Sequence, residues 1–125
     1  MSRQTKLSRN VTGILKNLFQ ENKFKLSFKE HYAEHFGNEI IEYEFESFLM
    51  FVTKARDHLF IDLASKNSPD THIPLPDVLE FIGTTKTAVL AGNDFQTIKR
   101  QLEVLSRNFN KIQEKLSSLN EPYKK

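Results

Sequence analysis

Cysteine is absent from the 125-residue chain. That excludes a disulfide scaffold, a thiolate metal site and a cysteine nucleophile. Tryptophan is absent as well, and three Tyr stand beside eleven Phe, so the aromatic content is almost purely apolar packing material. The four glycines, at 13, 37, 83 and 92, are too scattered for a phosphate-cradling loop or a dinucleotide fingerprint. No G-x-S-x-G nucleophile elbow occurs. Apolar runs are short: none approaches the roughly eighteen residues of a membrane span, and residues 1–30 hold no signal-peptide core. The expectation is an intracellular protein, of cytoplasm or nucleus, without a membrane partner.

What is present suits one folded unit. Hydrophobic residues make up 38% of the chain and the net charge is only +2, which argues against disorder. A chain of this length buries roughly two-thirds of its unfolded surface. The small net charge hides a segregation. Residues 1–30 carry seven Lys/Arg against two Glu, and residues 31–62 carry two Lys/Arg against seven Asp/Glu. Residues 93–125 return to a surplus of +3. Both ends are basic and the middle is acidic, a pattern of solvated faces or of a basic patch for an acidic or phosphate-bearing partner.

Hydrophobic spacing predicts a mainly α chain. Val11, Ile14, Leu15, Leu18 and Phe19 form one helical stripe. Ser27 and Glu30 have the spacing of a capping box, opening a short second helix that Gly37 ends. Ile41, Phe45, Phe48, Leu49 and Val52 predict a third helix over about 41–55, with Glu42, Glu44 and Glu46 as its dipole-favoured start. Residues 59–75 read as a hairpin, and Pro76 opens a fourth helix to about Leu90. A last helix, about 94–119, carries Phe95, Ile98, Leu102, Leu105, Phe109, Ile112, Leu116 and Leu119 at alternating spacings of three and four, a heptad stripe. Three helices and a hairpin give a winged-helix-like domain over 1–92, with a post-wing helix at 76–90 and a coiled-coil-type helix and tail over 93–125. The alternative is an all-α bundle.

The stretch 11–75 resembles the LOTUS (OST-HTH) domain, a winged-helix module. The likeness rests on the apolar helix Val11–Phe19, on Leu26-Ser27, and on Tyr32 with Phe36-Gly37-Asn38 and Ile40. It continues through Phe45-x-Ser47-Phe48-Leu49 and Asp57 before Leu59-Phe60-Ile61-Asp62. Glu44 stands where the family usually carries glycine. The resemblance implies a module without enzymatic activity. Extended members bind the RecA-like half of a DEAD-box RNA helicase through the helix after the wing, which here is 76–90.

His31-Tyr32-Ala33-Glu34-His35 matches the H-x-x-E-H string of inverted zinc peptidases, but the chain marks no third ligand. Two exposed histidines on a short helix account for it, and no metal or cofactor is expected. The preferred reading is a protein-interaction adaptor using Val78, Leu79, Ile82 and Leu90 as its partner face. A homodimer would form through the seam from Phe95 to Leu116. The rival is a dimeric winged-helix regulator of nucleic acid, with Arg3, Lys6, Arg9 and Lys16 as candidate contacts for weak, salt-sensitive binding.

Overall fold

The computed structural model describes residues 6–19, 23–32, 38–55, 58–83, 92 and 94–117. It is an α+β fold, not a mainly α one. Helix α1 (Lys6–Leu18) precedes strands β1 (Lys25–Tyr32), β2 (Asn38–Glu44), β3 (Phe48–Ala55), β4 (His58–Ser65) and β5 (Ile73–Pro74). Helices α2 (Leu75–Phe81), α3 (Phe95–Arg107) and α4 (Phe109–Ser117) follow. The strands form one antiparallel sheet in the order β1-β2-β3-β4-β5, each paired with its neighbour in sequence.

This sheet overturns the mainly α, winged-helix-like expectation and the all-α alternative. The start of the predicted second helix falls in β1, its end at 33–37 lies outside the described residues, and the predicted third helix is the β2–β3 hairpin. The physical reason lies in Ile41-Glu42-Tyr43-Glu44-Phe45-Glu46, a strict apolar–acidic alternation. Period two places every apolar member on one sheet face and every acidic member on the other. Ile41, Tyr43 and Phe45 are accordingly buried, while Glu42 and Glu44 are partly exposed. The Glu run is thus one face of a strand and its turn, not the first turn of a helix. The following Phe48-Leu49-Met50-Phe51-Val52 run is rich in residues that fit a pleated surface, and it becomes the central strand. Phe45 N–H donates to Phe48 O at 2.9 Å, closing the hairpin around Glu46-Ser47 without the glycine that usually marks such a turn.

The register aligns Ile41 with Val52 and Val52 with Ile61, then Tyr43 with Met50 and Met50 with Leu63. These side chains form the floor of the core. Val11 and Leu15 of α1, Ile98, Leu102 and Leu105 of α3, and Ile112 and Leu116 of α4 close over it. Thr12 of α1 and the Tyr43 hydroxyl lie 2.9 Å apart as a hydrogen bond, which satisfies the one polar tip on this floor. Burial raises the Tyr43 phenol above its ordinary pKa, with the Thr12 and Ser8 hydroxyls opposing. One core cluster thus runs from Val11 to Leu116, across the 92/93 boundary expected from the sequence.

The predicted 59–75 hairpin corresponds to β4 and a two-residue β5 joined through the turns of 66–72. The predicted helix at 76–90 is described as α2 up to Phe81. Gly83 follows at φ 73°, the left-handed conformation that ends a helix. Residues 84–91, Leu90 among them, lie outside the described residues. The single C-terminal helix is two, broken at Asn108.

Candidate functional site

Val78 and Leu79, predicted to face a partner, are buried in the core, and Ile82 packs partly against it. The exposed side of α2 is Phe81, 59% accessible, with the Lys115 ammonium 4.2 Å from its ring centroid. Six predicted seam residues (Ile98, Leu102, Leu105, Phe109, Ile112, Leu116) are buried against the chain's own sheet, and Phe95 is packed at the margin. Lys6, Arg9 and Lys16 are exposed on α1. Arg3 and Leu119 lie outside the described residues, as do Glu34 and His35 of the zinc-like string, whose His31 falls in β1.

A cavity of about 540 Å³ opens where the chain enters β1, the β2–β3 turn and α4 meet. Sequence reading did not single it out, because its lining comes from four separate stretches: Lys23-Phe24-Lys25, Glu44-Phe45-Glu46, Lys66 and Phe109. Phe109, just after the break at Asn108, forms part of its floor. The Asn108 N–H donates to Val104 O and Leu105 O, ending α3, and α4 restarts at Phe109. The restarted helix sets the Phe109 ring among Phe19 at 5.0 Å, Phe45 at 5.6 Å and Phe48 at 5.9 Å between centroids. Phe45 also stacks on Phe48 at 4.8 Å, and Phe24 reaches Phe45 at 5.9 Å. Such ring pairs add about 0.5–1.5 kcal/mol each beyond their area, so the floor is rigid.

The rim is polar and held in place. Gln113 of α4 accepts from the Ser47 N–H at 2.9 Å and donates to Glu46 Oε1 at 3.3 Å, clipping α4 to the hairpin turn. Glu44 pairs with the Lys66 ammonium at 2.8 Å and with Lys25 at 3.9 Å. The Lys66 hydrogen bond, and then its charge, hold the Glu44 carboxyl below its usual range. The Lys23 ammonium stands 5.7 Å from the Phe109 centroid, a cation over an aromatic face. Chemically this is an apolar slot bordered by ammonium groups, suited to an apolar side chain next to a carboxylate.

A second feature lies on the sheet face away from α1, α3 and α4. His72 stacks on Phe51 at 4.1 Å and 16°, and Phe60 is 44% accessible nearby on β4. Burial raises the Asp62 pKa above the ordinary carboxylate value, and the charge of His72 works against that rise.

The chain matches no family model, no curated protein and no solved structure. The site is therefore read from its own chemistry. Among the described residues, no cluster of three or more His, Asp or Glu side chains is placed to hold a metal ion. Nor is any described helix long and apolar enough to cross a membrane.

Proposed function

We propose that the chain is a non-enzymatic protein-interaction module, and that the cleft over Phe24, Phe45 and Phe109 is where a partner docks. The carrying observation is the pairing of a rigid aromatic floor with a lysine rim in one open cavity. Protein interfaces concentrate their energy in such places, where a large apolar side chain is desolvated and polar groups surround it. The occupant that fits is an extended segment of another protein, carrying an aromatic or long aliphatic residue flanked by Asp or Glu. The apolar side chain fills the slot, and the carboxylate meets Lys23 or competes with Glu44 for Lys25. This retains the adaptor function expected from the sequence and moves its contact surface from the post-wing helix to the cleft.

The test is selection of a random displayed-peptide library on the intact protein, with Phe24→Asp as counter-target. Phe24 is only half-buried, so the variant is first verified as folded by its thermal melt. Enriched peptides should share an apolar residue beside an acidic one, and should shift the NMR signals of Phe24, Phe45 and Lys23. Peptides that bind Phe24→Asp equally well, or that perturb the Phe60 face instead, would refute the cleft as the docking site.

A further inference from the structure

The charge segregation seen along the sequence becomes a polarity of the folded molecule. Helices α1, α3 and α4 carry eight Lys/Arg (Lys6, Arg9, Lys16, Lys99, Arg100, Arg107, Lys111, Lys115) against Glu103 and Glu114. Residues 38–55 and 58–83, which hold β2 to β5 and α2, carry eight Asp/Glu against Lys54 and Lys66. The two basic ends of the chain, far apart in sequence, lie on one layer because α1 packs beside α3.

Most cations of that layer are exposed, while Lys115 is half-buried over the Phe81 ring. Lys6, Arg9 and Lys16 are all exposed, and at 100° per residue they fall within an arc of about 80° on α1. Lys99, Arg100 and Arg107 are exposed too, within an arc of about 100° on α3. Asp94, at the head of α3, accepts from the Thr97 N–H at 2.8 Å. A hydrogen bond with the Thr97 side chain, then that backbone bond, and the neighbouring Arg100 charge as a smaller cause hold its carboxyl below the usual range. Asp94 and Glu103, which falls within the α3 arc beside Lys99 and Arg100, offset part of this charge, and a net surplus of cations remains.

We propose that the outer side of the α1–α3–α4 layer binds the phosphate backbone of double-stranded nucleic acid, without reading its sequence. This is a second surface, independent of the cleft. Two observations favour phosphate over an acidic protein. Of the exposed large apolar side chains, Leu26 and Phe60 sit on β1 and β4, and Phe81 of α2 is met by Lys115 alone, so the helix faces that carry Lys6, Arg9, Lys16, Lys99, Arg100 and Arg107 lack the apolar anchor on which protein interfaces depend. A surface with a net surplus of cations gains most from a ligand of high, regular charge density, where each phosphate contact releases a counterion. The absence of an exposed aromatic among the described residues of α1, α3 and α4 also leaves no platform for unstacked bases, which selects duplex over single strand.

The experiment is fluorescence anisotropy of the full chain with a labelled 20-base-pair duplex of arbitrary sequence, over about 50 to 200 mM salt. With about five cations engaged, log K should fall with log salt at a slope of about −4.5, roughly a 500-fold loss across that range. Two unrelated duplex sequences should bind alike. The double changes Lys6→Glu/Lys16→Glu and Lys99→Glu/Arg100→Glu should each weaken binding at least about tenfold and flatten the slope, while Lys66→Gln should not. Thermal melts establish that the variants are folded, and these exposed positions are expected to tolerate the change. A slope near zero would overturn the proposal. So would charge reversals without effect, or polyglutamate competing as well as the duplex at equal charge, which would assign the face to an acidic protein.

Discussion

Leu102→Ala separates two roles for the C-terminal apolar stripe, because a seam facing another molecule and a lid over the chain's own sheet respond differently. Leu102 is fully buried, in one cluster with Ile61, Leu63, Leu79 and Leu105. Truncating a buried leucine to alanine costs about 2–5 kcal/mol, from lost transfer energy and the cavity that remains. Domains of this size have about 5–15 kcal/mol in total, so the loss is a large fraction of it. With an unfolding entropy of roughly 2.1 cal/mol/K per residue, 125 residues give about 0.26 kcal/mol/K, and a 3 kcal/mol loss lowers the midpoint by about 11 °C. Phe95, at the half-buried margin, should cost less on the same change. Leu102→Glu should abolish the cooperative transition altogether, since it buries an unpaired charge. The assay is a circular-dichroism melt with molar mass by light scattering on the same samples. If Leu102→Ala halved the mass and left the melting midpoint where it was, the stripe would be a contact between copies. The intramolecular assignment would then fail.

Two further perturbations probe single positions. Gly92 has φ 141°, and a Cβ built there would stand 2.6 Å from Thr97 Oγ1, which belongs to the buried first turn of α3. Gly92→Ala should therefore destabilise by about 1–3 kcal/mol, read as a lower urea midpoint at constant slope; an unchanged midpoint would show that the turn relaxes freely. Asp62 is held above its ordinary pKa by burial, so ionisation costs folding energy that grows as pH rises through the folded value and vanishes below about 3.8. Asp62→Asn should raise the melting midpoint at pH 7 and leave it unchanged at pH 3, and a gain of equal size at both would exclude titration as the cause.

The parts legible in the sequence are those fixed by one local rule. The α1 stripe, the β4 strand and the proline-led start of α2 each follow from spacing or from a residue that admits few conformations. Residues 41–55 were ambiguous because two periods fit them. Ile41, Phe45, Phe48, Leu49 and Val52 satisfy a helical stripe, and Ile41, Tyr43 and Phe45 satisfy alternation. The deciding feature is what each period does with Glu42 and Glu44. A helix would wrap them around its sides, whereas the strand keeps both on the face turned away from the core. The Glu46-Ser47 turn carries no glycine or proline, so the hairpin announces itself only through that alternation. Once it is read as a hairpin, the capping-box spacing of Ser27 and Glu30 loses its helix and becomes part of the strand paired with β2.

The C-terminal stripe shows why periodicity alone could not name a partner. An apolar seam at spacings of three and four states that something covers it, and a flat sheet floor covers it as well as a second helix does. The acidic–apolar alternation of β2 already implied such a floor, since one face of that strand had to be buried by an element outside the strand itself. The stripe and the alternation are therefore two halves of one contact, separated by more than fifty residues of chain. Asn108 marks the join of α3 and α4, and Phe109, the first residue of α4, packs on Phe45 and Phe48. Phe109 belongs both to that contact and to the cleft it lines with Phe24 and Phe45, so the aromatic cluster that closes the core also borders the site proposed for a partner.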